Sequence, residues 1–347
     1  MTSPVNASKP AVVTRGSQGS RVAFGIGAAV AILLFFVPAI LSDSVTNNLT
    51  QFFILLIMAI GWNLAAGYGG MVSIGHQAFI GFASYAVLDL SIHGILAWYC
   101  VPIAIILAGL VSIPVSWLAF RLRGGYFAIG TWVIAQVFQL VIGQQSNLGG
   151  GAGASLNDLN NLNPMTRDNI TYWFALGLTL IALSVTGLLL RSKVGMALVA
   201  VRDEELSAAA TGVNVVRTKR LVFVLSAAIC GGAGSLLILS NLEVQPDSSF
   251  SIQYSAFMIF MVLVGGIGSF EGPIIGAIIF FTLQQSLSSY GAWYLVILGA
   301  FAVVVTLWLP RGIWGAIDPR HQRSLVPLRY RLHESKRDSS LINSVND

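Results

Sequence analysis

Charge is what this sequence is short of. Only 10% of its 347 residues are Asp, Glu, Lys or Arg, against 55% hydrophobic, whereas a soluble domain carries about 25% charged residues. A surface that poor in charge fits lipid better than water. Cysteine is almost missing too. Cys100 and Cys230 each lie inside an apolar run, which argues against a disulfide framework or a metal site and leaves two small packing residues. Catalytic signatures are lacking. No Gly-Lys dipeptide occurs, so there is no GxxxxGK[ST] phosphate loop, and HExxH and GxSxG are absent. The chain reads as no enzyme, with no metal and no cofactor of its own.

The interiors of the long apolar runs also lack Asp, Glu, Lys and Arg. Carriers driven by protons commonly keep such groups there, because a charge in the bilayer is costly and retained for use. Their absence counts against a proton relay, though not against sodium held by carbonyls.

What remains is an all-α pattern. About 20 apolar residues cross a bilayer core as a helix. Ten runs qualify, near 22–41, 50–68, 71–90, 96–120, 124–145, 170–190, 220–242, 250–266, 272–289 and 291–309. The first is longer than a secretory h-region and reads as a retained span. The 36 glycines suit close helix packing. The third span and the eighth to ninth carry Gly69-Gly70, Gly265-Gly266, Gly268 and Gly272-Pro273. Short, broken or re-entrant helices are expected there, and such backbone must be buried in protein or line a wet cavity.

Charge placement orients the bundle. With the N-terminus in the cytoplasm and alternating spans, 18 of the 19 Lys and Arg residues fall on the cytoplasmic side, and Arg167 alone does not. The net charge of +5 is then membrane orientation rather than a sign of nucleic acid. The expected organisation is a polytopic transmembrane helical bundle of about ten spans with both termini cytoplasmic. Residues 1–21 form a tail, 22–310 the membrane domain and 311–347 a basic tail. Losing or adding a pair of spans preserves the parity, so eight spans satisfy the same charges. The outer loop 145–169, with Gly149-Gly150-Gly151 and six asparagines, reads as a flexible docking surface or a plain linker between halves.

The inner segment 191–220 is the most informative polar stretch. Residues 194–211 are good helix formers, and Gly212 with Asn214 supplies a stop. Arg202 and Glu205, three apart, are placed to pair on one face. Ala208, Ala209 and Ala210 offer a smooth surface for another protein. The alternative is an interfacial connector.

Several phrases resemble a known family. GWNLAAGYGGMVSIGHQAFIGFASY, RLRGGYFAIGT, SKVGMALVAVRDEELSAAATGVNVVRTK and VLVGGIGSFEGPIIGA are similar, in consistent order over about residues 25–315, to the LivM-type permeases of branched-chain amino acid ABC importers. NLGGGAGASL and LPRGIWG resemble further turns of that family. The resemblance implies a bacterial inner-membrane permease paired with a second, LivH-like permease. Two ATPase subunits would bind and hydrolyse ATP on the inside, and a solute-binding protein would deliver ligand outside. The region 194–219 would hold the coupling helix, with Arg202, Asp203, Glu204, Glu205, Ala208, Ala209, Gly212 and Asn214 as candidate contacts. Leu206 stands where the general importer loop EAAxxxG has its Glu, while Ala208 and Gly212 fit that pattern.

Polar residues within spans are candidates for the translocation path: Asn63, His76, Gln77, Gln136 and Gln139. Gln136 and Gln139 share a helix face. Such groups also serve as interhelical hydrogen bonders, and His76 is placed to cap the turn before it. Glu271, in an inner turn, is expected to bind amides near Gly272 or to touch an ATPase. Trp62, Trp98, Trp132, Trp173, Trp293 and Trp308 read mostly as interface anchors. The solute expected is a branched-chain or similar amino acid, with urea, short amides or small carboxylates as nearby alternatives. A stand-alone ion-coupled carrier and a passive channel are the competing classes.

Overall fold

The computed structural model describes residues 11–14, 18–159, 162–291, 293–317 and 331–334. Most of both tails, including Lys9 and Arg15, lies outside the described residues. The principal helices are α1 (Gln18–Phe35), α2 (Asp43–Asn63), α3 (Gln77–Ile92), α4 (Ala97–Ala119), α5 (Gly125–Gly143), α6 (Pro164–Arg191), α7 (Lys193–Asp203), α8 (Glu205–Ala210), α9 (Val215–Asn241), α10 (Ile252–Gly265), α11 (Gly272–Leu287), α12 (Trp293–Trp308) and α13 (Gly312–Ile317). Two short strands at the chain ends, Ala11–Thr14 and Arg331–Glu334, pair antiparallel.

Among the described residues, seven helical stretches are long and apolar enough to cross a membrane, and Gly25–Phe35, α3 and α11 are shorter apolar helices. The molecule is therefore a polytopic all-α bundle. α2 is its axis. The hydrophobic stretch of Asp43–Tyr68 is 83% buried, against 11% for Trp293–Ile317. A helix apolar on every side is a central one, and α2 packs against α6, α9, α10 and α11. The outer faces of α4, α5 and α12 expose Ile106, Trp117, Leu140, Val303 and Leu307, a belt that only lipid or an apolar partner suits.

Close packing of α3 on α9 depends on Gly234. A Cβ there would strike the carbonyl oxygen of Ile80. With no side chain in the way, Ser84 Oγ donates to the Gly234 carbonyl at 2.7 Å.

The first apolar run does not stay one helix. α1 ends at Phe35, and a short turn Val37–Ile40 follows. Pro38 supplies no N–H for the Leu34 carbonyl. The Tyr172 hydroxyl donates to that carbonyl instead, at 2.6 Å, and Trp173 Nε1 donates to Phe35 O at 3.3 Å.

Candidate functional site

Two Gly-rich breaks meet at the end of α2. The helix widens into a π-helical turn, Leu64–Tyr68, a distortion common at functional positions. The chain then runs back into the bundle through residues 70–76 without helix, as the glycines there imply. Its backbone groups are held by protein. Met71 N donates to Ala65 O, Trp62 Nε1 to Ser73 O at 2.8 Å, and Ser255 Oγ to Ile74 O at 3.0 Å. Trp62 is thus a core residue, only 1% exposed, rather than an interface anchor.

The second break, 266–271, lies between α10 and α11. Asn63 joins the two. Its Nδ2 donates to Ser269 O and its Oδ1 accepts from Gly268 N, both at 2.9 Å. Gly67 makes this approach possible, since a Cβ there would lie 2.6 Å from Gly268 N. Glu271 is buried, so it offers no surface to another protein. The Gly272 amide, one of those near Glu271, donates to Ser269 Oγ at 3.0 Å.

The other path candidates are mostly engaged between helices. His76 starts α3 without capping it; its Nε2 lies 2.8 Å from Ser226 Oγ, which donates to Gly61 O. Gln77 Oε1 shares the single Ser255 hydroxyl proton with Ile74 O. Gln139 Nε2 donates to Asp247 Oδ1 at 2.8 Å, and Gln136 is half-buried on the same helix. The Gln139–Asp247 bond is exposed, whereas Asn63, His76 and Gln77 form a buried polar core with serine partners. Ser226, Ser255 and Ser269, its other members, carry no signal in the sequence beyond small size.

The connector 191–220 holds two helices before α9, not the single one expected over 194–211. Glu204 is extended, with φ −158° and ψ 109°, and separates α7 from α8. That break takes Arg202 and Glu205 out of i, i+3 register, so they do not pair. Arg202 bonds Asp203 and, through Nη1, the Gly67 carbonyl at 3.1 Å. Glu205 pairs with Lys219. The alanine surface also differs from expectation, because Ala208 is buried and only Ala209 and Ala210 face outward. Gly212 takes φ +87°, the left-handed helix end that glycine favours. Asn214 caps α9, its side chain accepting from Arg217 N at 3.0 Å. Leu206 is 81% exposed.

The loop after α5 is docked rather than free. Ala154–Ser155 pairs with Glu243–Val244, Leu156 N donates to Leu242 O at 2.7 Å, and Leu156 and Leu159 are buried. Asp158 Oδ2 accepts from Ala97 N, at the start of α4.

Among the described residues, no group of three His, Cys, Asp or Glu side chains could hold a metal ion. A charge-poor bundle with broken helices at its centre and a polar connector at one end has the build of a membrane permease subunit. Residues 44–307 match the family described as branched-chain amino acid transport system, permease component, and the chain belongs to it. It is 27% identical to the high-affinity branched-chain amino acid transport system permease protein LivM of Escherichia coli (strain K12), over 84% of this chain and 75% of that protein. It is also 26% identical to LivH of Salmonella typhimurium, over 78% of this chain and 94% of that one. No solved structure matches.

Proposed function

We propose that this chain is the LivM-like half of an ABC importer for branched-chain or related amino acids in a bacterial inner membrane. It pairs with a LivH-like permease, and two ATPase subunits dock on the connector 191–220. A solute-binding protein docks on the opposite end. The seven long and three shorter apolar helices support ten spans. The distribution of the basic residues supports cytoplasmic termini and a cytoplasmic connector.

The observation that carries the ATPase assignment is Leu206. A leucine 81% exposed on a helix of six residues has no role in this chain's own core. It sits beside the outward Ala209 and Ala210, on a segment whose inner side is tied to the bundle through Arg202 and Ala208. That combination suits a part pressed into a partner's groove. The test is co-purification of the ATPase subunits with this chain. Leu206→Asp is expected to remove them while membrane insertion and pairing with the second permease persist. Retention of the ATPases at the unmutated level contradicts the assignment.

A further inference from the structure

At the end of the bundle remote from the connector, α2, α9, α10 and α11 line a half-open cavity of about 360 Å³. No Asp, Glu, Lys, Arg or His is among the described residues that line it. Its polarity is graded, and each of the four helices repeats the gradient. On α2, Gln51 is followed inward by Ile54, Leu55 and Met58, at spacings of three, four and seven that share one face. On α9, Asn241 lies on the outermost turn and Leu237 one turn deeper. On α10 the pair is Tyr254 and Phe257. On α11, Gln284 and Gln285 lie one turn outside Phe281.

Four carboxamides and a phenol therefore ring the outer part, and the inner part is aliphatic and aromatic. Some of the amides are already held. Gln51 Nε2 donates to Ser240 Oγ at 3.0 Å, and Gln285 Nε2 to Asn48 Oδ1 at 3.3 Å.

This lining selects a ligand class. A carboxamide offers an acceptor oxygen and two N–H donors. Several of them can meet an ammonium and a carboxylate together without placing a net protein charge in the membrane. Beneath them, the apolar walls suit a branched hydrocarbon side chain. The volume is at the small end of the range for ligand pockets, about 300–1,000 Å³.

We propose that this cavity binds a small zwitterionic α-amino acid in transit. Its charged ends rest on the amides of Gln51, Asn241, Gln284 and Gln285, and its side chain points toward Met58 and Phe257. The proposal rests on the permease reading above and adds to it a solute site within one permease chain.

The experiment uses the complete importer, with both permeases, ATPases and binding protein, in proteoliposomes, and radiolabelled leucine as the probe. Met58→Trp fills the inner part and is expected to cut ATP-driven uptake tenfold or more, with the ATPases still bound and hydrolysis still stimulated by loaded binding protein. In a second arm, Met58→Cys is labelled with a small methanethiosulfonate. Turnover with leucine is expected to slow labelling threefold or more, and turnover with a binding-protein ligand lacking an apolar side chain is expected to slow it less. If Met58→Trp fails to assemble, the labelling arm decides. Wild-type uptake by an assembled Met58→Trp importer, or labelling indifferent to leucine, overturns the cavity proposal alone. Absence of leucine uptake by the unmutated importer overturns the parent reading and the cavity with it.

Discussion

Arg202 Nη1 donates a 3.1 Å hydrogen bond to the carbonyl of Gly67. One residue lies on the connector 191–220 and the other in the π-helical turn that ends the central helix. The bond ties a segment proposed to meet the ATPases to the place where the two Gly-rich breaks touch. A movement of the connector then reaches Gly67 and, across it, Gly268. The sequence places Arg202 among contacts to a partner; in the structure its side chain is partly exposed and also bonded to the bundle.

Arg202→Ala is expected to cost about 1 kcal/mol of stability, since one hydrogen bond is lost from a partly exposed side chain. Its larger effect is on coupling. Loaded binding protein should still raise ATP hydrolysis, but uptake per ATP should fall severalfold. Arg202→Lys keeps the charge but not the planar donor fork and should recover only part of it. Normal stoichiometry in Arg202→Ala removes this bond from the mechanism.

Gly67→Ala should harm folding rather than transport alone. The added methyl meets Gly268 and Asn63, and overfilling a tight contact costs about 1–3 kcal/mol. Thermal unfolding of the detergent-purified permease pair should begin at a distinctly lower temperature. Gly177→Ala is the control, because a Cβ there meets nothing within 4 Å. Equal unfolding of the two variants contradicts the close approach of the breaks.

The connector faces can be separated. Ala209→Trp adds bulk to an outward surface and should weaken ATPase co-purification while the permease itself stays folded. Ala208→Trp puts the same ring where only 3% of the residue is exposed and should lower the yield of folded permease. If Ala209→Trp leaves ATPase binding and stimulated hydrolysis unchanged, that face is not the docking surface.

Topology is open to direct labelling. A cysteine at Ser155 should react with an impermeant reagent from outside, and one at Ser324 only from the cytoplasmic side. Labelling of both from the same side rejects ten spans with cytoplasmic termini.

Much of the fold is legible in the sequence because lipid imposes a crude filter. Long apolar runs must be helices, and the glycines at 69–70 and 265–268 mark where they break. The site is less legible. Arg202 and Glu205 are spaced for a helical pair, and nothing local announces the extended Glu204 between them. Trp62 looks like an interface anchor until the returning chain brings the Ser73 carbonyl to its ring nitrogen. The Gly-rich outer loop looks free because its partner strand, Glu243–Val244, lies far along the chain. Gln51, Asn241 and Gln284 stand near the ends of their apolar runs, where a polar residue raises no question. Only the packing of four helices shows that they surround one space.

The most direct test of the central claim is uptake of labelled leucine by liposomes containing this chain, with and without its partners. With the second permease, the ATPases, the binding protein and ATP on the cytoplasmic side, leucine should accumulate, and omission of the ATPases or of ATP should abolish it. Uptake by this chain alone, driven by a proton gradient, would contradict the account.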